Sequence, residues 1–248
     1  MKKRFPLTLM AGLFLAAASG TALAKHKTVV LVHGAFADGS SWNRVIGELQ
    51  HQHTEVIAVQ LPLTSLQDDV AATRRAIARA KGDVVLVGHS WGGTVISEAG
   101  NEARVKSLVY VAAFAPDSGQ STADLANSYP APPGSAGIAK TADGFLYLSA
   151  KSVRQDFAPD ITSAEQNTLV ATQGPLRADA FAEKVTHAAW HDKPSWYVVS
   201  KNDRMINPEL ERAMAKAIDA NTREVMASHV SMVSHPLEIA RVIEQAAK

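Results

Sequence analysis

The 248-residue chain contains no cysteine, which removes disulfides as a source of stability. A chain of this length can do without them. No glycine-rich phosphate or dinucleotide loop follows the first predicted strand, where His33-Gly34-Ala35 stands instead of Gly-x-Gly-x-x-Gly. Basic residues form no block beyond Lys2, Lys3 and Arg4, so the remainder shows no nucleic-acid surface. No second long apolar segment follows the N-terminal one. Paired histidines are few. His51 and His53 are two apart, His187 and His191 four apart, and the glutamate of a His-Glu-x-x-His motif is missing. They read as solvated surface histidines, and no metal is expected.

The N-terminus is what stands out against these absences. Met1-Lys2-Lys3-Arg4 precedes an apolar stretch, Phe5 to Ala18, and small residues ending Ala22-Leu23-Ala24. This order describes a secretory signal peptide over residues 1–24. Cleavage after Ala24 leaves residues 25–248, one domain with a generous core. Removing Lys2, Lys3 and Arg4 takes 25 cations to 22 against 24 anions, a net charge of about −2. A cysteine-free exported protein avoids mispairing, so the expected location is the periplasm or the medium. No membrane association is expected after cleavage.

Short β-rich runs then alternate with helical patterns. Predicted strands are Thr28 to Val32, Thr54 to Val59, Asp83 to Val87, Val105 to Ala112, Ser195 to Val199 and, weakly, Thr222 to Ala227. Predicted helices are Ser41 to Gln50, Leu66 to Lys81, Trp91 to Ala103, Pro208 to Ala220 and Pro236 to Ala247. The expectation is an α/β fold, a mostly parallel sheet with helices on both faces. Residues 117–193 break the alternation and show no strong strand. Their helical patterns, a capping box at Thr162-Ser163-Ala164-Glu165 and aromatics such as Phe145, Phe157 and Phe181 suggest a packed helical cap.

The most informative stretch is Gly88-His89-Ser90-Trp91-Gly92, between an apolar run and a helical pattern. Strand, Gly-x-Ser-x-Gly, helix is the pattern of a nucleophile elbow, a turn that strains the serine and lifts its hydroxyl above a sheet. Ser90 is therefore the candidate nucleophile. A serine needs a base in reach, and the base needs an orienting carboxylate. Elbow enzymes carry them in the order serine, acid, histidine. Asp203 and His229 each lie just past a predicted strand, in that order, and open parallel sheets place sites at such ends. Asp117 is the rival acid and His235 the rival base. His191 and Asp192 precede a strand and fall at the wrong end of the sheet. His89 reads as a packing or hydrogen-bonding residue beneath the turn.

An oxyanion needs donors. One is the Trp91 N–H at a helix start. The other belongs to the loop His33 to Gly39, with Ala35 the assignment and Phe36 the alternative. Gly34 is expected to allow a tight turn there.

Leu31-Val32-His33-Gly34-Ala35, Gly88-His89-Ser90-Trp91-Gly92-Gly93, Asp203 and Ser228-His229 together resemble the α/β-hydrolase superfamily. The likeness covers essentially the chain after residue 24. It resembles most the small esterase and hydroxynitrile-lyase branch, in the opening His33-Gly34-Ala35-Phe36 through Trp42 and the final His229-Val230-Ser231-Met232. The resemblance implies a six-stranded core, a helical cap and no cofactor. Epoxide hydrolases and haloalkane dehalogenases share the fold but use an aspartate where this chain has Ser90. Hydroxynitrile lyases carry a lysine soon after the histidine, where this chain has Val230 and Ser231. Cofactor-free perhydrolases share the triad. The expectation is a serine hydrolase of small-molecule carboxylic esters, with Phe36 and other aromatics around an apolar substrate group. A perhydrolase or lyase on the same triad, and a binding module without turnover, are the alternatives.

Overall fold

Val29, Val30, Leu31 and Val32 are all fully buried, as a strand covered on both faces must be. They form β1 (Lys27–Val32). The computed structural model describes Met1 and residues 27–248. The expected signal peptide, apart from Met1, lies outside the described residues.

The chain continues through α1 (Asn43–His51), β2 (Glu55–Ala58), α2 (Leu66–Arg79), β3 (Asp83–Ser90), α3 (Trp91–Ala99) and β4 (Val105–Ala113). Ser65 caps α2 by accepting the Asp68 N–H at 3.0 Å. The buried stripe of α2, Leu66, Asp69, Val70, Thr73 and Ile77, follows the helical period. The third helix stops at Ala99 rather than the expected Ala103, with Gly100, a poor helix former, as its C-cap.

Beyond β4 comes a cap. It holds α4 (Thr122–Ala126), β5 (Ile138–Lys140), β6 (Phe145–Leu148), α5 (Ala150–Ser152), a π-turn at Val153–Phe157, α6 (Ser163–Thr172) and β7 (Leu176–Arg177). Thr162 and Glu165 form the capping box of α6. The cap's three strands pair antiparallel in a small second sheet, where the sequence pointed to helices alone. Strands of three, four and two residues are too short for their alternation to register.

The chain returns through β8 (Ser195–Ser200), α7 (Pro208–Ala217), β9 (Asn221–Val225), α8 (Ser231–Ser234) and α9 (Pro236–Ala246). Asn207 caps α7, with Pro208 in its first turn.

The core sheet has the order β2-β1-β3-β4-β8-β9, with every neighbouring pair parallel. Right-handed crossovers put α1 on one face, because the chain steps outward from β1 to β2. They put α2, α3 and α7 on the other as it steps back across. The last helix, α9, packs beside α1, and α2 packs beside α3. The direction of travel reverses between β1 and β3. Loops leaving two such strands diverge to opposite faces and open a crevice at their carboxyl ends. The loop after β1 begins at His33, and β3 ends at Ser90.

Candidate active site

Ser90 has φ 53° and ψ −121°, a positive φ that a non-glycine residue holds only under constraint. The neighbouring glycines supply clearance for that turn. A Cβ on Gly88 would lie 2.5 Å from the Gly92 carbonyl oxygen, and one on Gly92 would lie 2.6 Å from that of Val32. Gly34 serves the same end rather than the expected tight turn. It is not among the positive-φ residues, and a Cβ there would meet the Ser90 Cβ at 2.7 Å. The left-handed residue of that loop is Phe36, at φ 61°.

The loop after β1 is pinned at several points. His33 Nδ1–H donates to the Gly34 carbonyl at 2.8 Å, since a carbonyl only accepts. Its Nε2 is thereby free to accept the Leu61 N–H at 3.0 Å. Burial lowers the His33 pKa and keeps the ring neutral. The Phe36 N–H donates to the Gly174 carbonyl of the cap at 3.1 Å, so that amide is already committed. The Ala35 N–H has no such partner among the described residues. Trp91 begins α3, where leading N–H groups lack intrahelical acceptors. Its indole N–H donates to Asp69 Oδ2 at 2.7 Å, while Leu63 N–H donates to Oδ1 at 2.8 Å. Burial pushes the Asp69 carboxyl up to about 6, against the pull of these two donors.

His229 Nδ1–H donates to Asp203 Oδ2 at 2.6 Å, with both side chains buried. Asp203 Oδ1 accepts the N–H groups of Met205 and Ile206 at 2.6 and 2.9 Å. A proton on Nδ1 leaves Nε2 as the basic nitrogen of the ring. Three further contacts hold the imidazole and its loop. His89 Nε2–H donates to the His229 carbonyl at 3.0 Å. The Phe157 ring lies 5.3 Å from the imidazole. Ser228 donates its N–H and O–H to Asp160 of the cap at 2.7 and 2.5 Å. Burial drives the His89 pKa well below its ordinary value, which suits a neutral hydrogen-bonding role. The rivals lie elsewhere. At the surface, Asp117 accepts from His191 at 2.6 Å and Asp192 from His187 at 2.9 Å. His235 meets the Ser234 hydroxyl at 2.8 Å. Among the described residues, no group of three His, Cys, Asp or Glu could hold a metal ion.

The sequence reading misses three acids that support these groups: Asp69, Asp160 and Glu211. Glu211 is fully buried, and its Oε2 accepts the Ser200 N–H at 3.1 Å. Burial first, and then the charge of Asp203, drive its pKa well above the carboxylate range. Asp69 and Glu211 carry a signal in retrospect. Each is an acid on the apolar stripe of its helix, beside Leu66 and Val70 in one case and Leu210 and Met214 in the other. Asp160 lies in a loop and has no local signal.

Ser90 and His229 open on one cavity of about 290 Å³, walled by Ala35, Phe36, Phe114, Ile138, Phe181 and Ile206 among others. Among its described lining residues there is no Lys, Arg, Asp or Glu. A larger cleft of about 510 Å³ runs across β9 and α9 and holds none of the candidate groups.

The Alpha/beta hydrolase family, compared as a sequence model, matches residues 29–242. The chain belongs to that family. It is a hydrolase, built on the parallel six-stranded sheet with cap that the resemblance implied. This alpha/beta hydrolase is similar to alpha/beta hydrolase nvfD from Aspergillus novofumigatus, at 26% identity over 241 residues, covering 88% of this chain and 96% of that one. Among solved structures it is similar to an extracellular alpha/beta-hydrolase from a Paenibacillus species (TM-score 0.73, 21% identity, 88% of this chain and 98% of the other). It is also similar to polyneuridine aldehyde esterase (TM-score 0.77, 18% identity, 90% and 100%). Likeness at these identities speaks to the fold alone.

Proposed function

We propose that this alpha/beta hydrolase cleaves carboxylic esters of neutral, largely apolar small molecules through an acyl-enzyme. The observation that carries the reading is the shared cavity. A strained Ser90 and a His229 whose Nδ1 proton rests on Asp203 both open on it. Ser90 Oγ attacks the acyl carbon while His229 Nε2 takes its proton. Asp203 holds the tautomer and stabilises the imidazolium. The N–H groups of Ala35 and Trp91 receive the oxyanion, and losing one such donor costs about 3 kcal/mol. The alcohol leaves with the proton returned by His229. Water, deprotonated in turn by His229, attacks the acyl-enzyme, releases the acid and restores Ser90.

The uncharged lining favours a neutral substrate, since a buried ion without a partner is costly. Val230 and Ser231, standing after His229 instead of a lysine, weigh against the lyase alternative. An esterase among the structural neighbours is consistent with the ester reading. Hydrolysis of a short-chain chromogenic ester by wild type and Ser90→Ala is the test, with fluorophosphonate labelling beside it. Wild type should turn over and take the label at Ser90, and the variant should do neither. Equal rates in the two would end the serine mechanism. Peracid formation and cyanohydrin cleavage, assayed in parallel, rank the two alternative activities. Export is a separate proposal. Protein recovered from the periplasm or medium should begin at Lys25, and a soluble form retaining residues 1–24 would sink it.

A further inference from the structure

Next to Asp203 lies a second carboxyl that the ester mechanism leaves unused. Glu211, on α7, is fully buried. Its Oε2 has the Ser200 N–H at 3.1 Å, and its Oε1 is buried and receives no hydrogen bond. Asp203 is tied to the same residue, its N–H donating to the Ser200 carbonyl at 3.1 Å, and its charge bears on Glu211. Asp203 already accepts three hydrogens, from His229, Met205 and Ile206. Two coupled buried carboxyls do not both ionise, and the charge settles on the one with more donors. Asp203 has three and Glu211 has one, so the shared proton belongs to Glu211. A protonated Glu211 turns its orphan oxygen into a donor, and the Asp203 carboxylate is the acceptor beside it.

The other ionisable groups near Glu211 are engaged elsewhere. Tyr197 of β8 donates to the Ala113 carbonyl. Arg212, on the helix of Glu211 itself, pairs at the surface with Glu209 and Glu224.

We propose that Glu211 is a positioning residue of the proton relay: as a neutral acid it donates a hydrogen bond to Asp203 and fixes the carboxylate that orients His229. Its kinetic consequence rests on the ester-hydrolase reading, and its chemistry does not. Glutamine reproduces both contacts, accepting from Ser200 and donating to Asp203. Leucine reproduces neither.

Infrared difference spectroscopy at neutral pH, wild type against Glu211→Gln, should show the carbonyl stretch of a protonated carboxylic acid that the variant lacks. Its absence would mean an ionised Glu211 and would overturn the proposal. On the chromogenic ester, Glu211→Gln should stay within about threefold of wild type in kcat, while Glu211→Leu falls by on the order of 10²-fold with KM within about twofold. A glutamine variant as damaged as the leucine one, or a leucine variant at wild-type kcat, overturns it equally. The low-field proton resonance of His229 Nδ1 should move in Glu211→Leu and stay in Glu211→Gln, which a mere packing role does not require. If Glu211→Leu fails to fold, the infrared and glutamine arms decide. A wild type that neither cleaves ester nor takes fluorophosphonate ends the ester reading, and the infrared and resonance arms still judge Glu211.

Discussion

His229 and Asp203 stand 2.6 Å apart, and so do His191 and Asp117. The first two side chains are 2% and 0% exposed, the second two 46% each. At the surface, water competes for every donor and screens every charge, and such a pair is worth about 0–1 kcal/mol. Among the described residues, the one ring against His191 is Trp190, at 3.8 Å between centroids. In the interior no water replaces a lost partner. His229 is also fixed through its carbonyl by His89, through its ring by Phe157 and through Ser228 by Asp160. A short distance is thus common to both pairs, and what separates them is confinement on the cavity that Ser90 shares. The substitutions that follow probe that contrast.

The largest effect is expected from Asp203→Asn. The amide keeps the shape but favours the wrong imidazole tautomer, and kcat should fall by about 10⁴-fold. Ester turnover measures it. A loss under about tenfold would mean that burial gives this pair nothing that the surface pair lacks.

Asp69 isolates burial from histidine chemistry. It is a buried carboxylate held by the Trp91 indole and the Leu63 N–H. Its pKa is raised from 3.8 to about 6, so between those values the folded protein binds more protons than the unfolded chain. Stability from this group is therefore greatest at low pH and falls as pH rises through the window. The displacement corresponds to about 3 kcal/mol across the full window. Asp69→Asn removes the titration. In urea denaturation, the stability difference between wild type and variant should shrink by about 2 kcal/mol from about pH 4 to about pH 6. A pH-independent difference would show that Asp69 does not titrate in this range.

Which parts of the site a reader of the sequence can see follows from how local each signal is. The elbow is local: Gly88, Ser90 and Gly92 fall between a strand and a helix pattern. The capping residues Thr162 and Asn207 are local too, and both cap the helices they announce. The choice of Asp203 over Asp117 is not local, because both follow parallel strands and only the packed fold buries one of them. Asp69 reaches Trp91 across 22 positions and Asp160 reaches Ser228 across 68, and no window of sequence spans such pairs. Gly34 is recognisable as needed, but its reason, close approach to Ser90, requires the fold.

Asp160→Ala sharpens the contrast from the cap side. Asp160 is itself exposed, yet its carboxylate takes two hydrogens from the buried Ser228, the residue before His229. Freeing that loop should lower kcat by about tenfold, short of the 10²-fold of outright misplacement. Ser228→Ala keeps the N–H contact and should lose less. An Asp160→Ala enzyme at full kcat would leave the cap without a part in holding His229.

The smallest effect is expected at the surface pair. Asp117 has its pKa lowered: slight burial raises it, and the hydrogen bonds from His191 and from the Ser118 N–H, with the His191 charge after them, outweigh that. A lowered carboxylate contributes stability above its unfolded pKa and loses it as pH falls through the folded one. Nearly half of the side chain is exposed, so solvent screening cuts that contribution to about 1 kcal/mol or less. Asp117→Asn should therefore leave kcat within about twofold and stability within about 1 kcal/mol at neutral pH, with even that difference fading in high salt. A tenfold or larger fall in ester turnover would bring His191 and Asp117 into the chemistry, and burial would no longer be what distinguishes the two pairs.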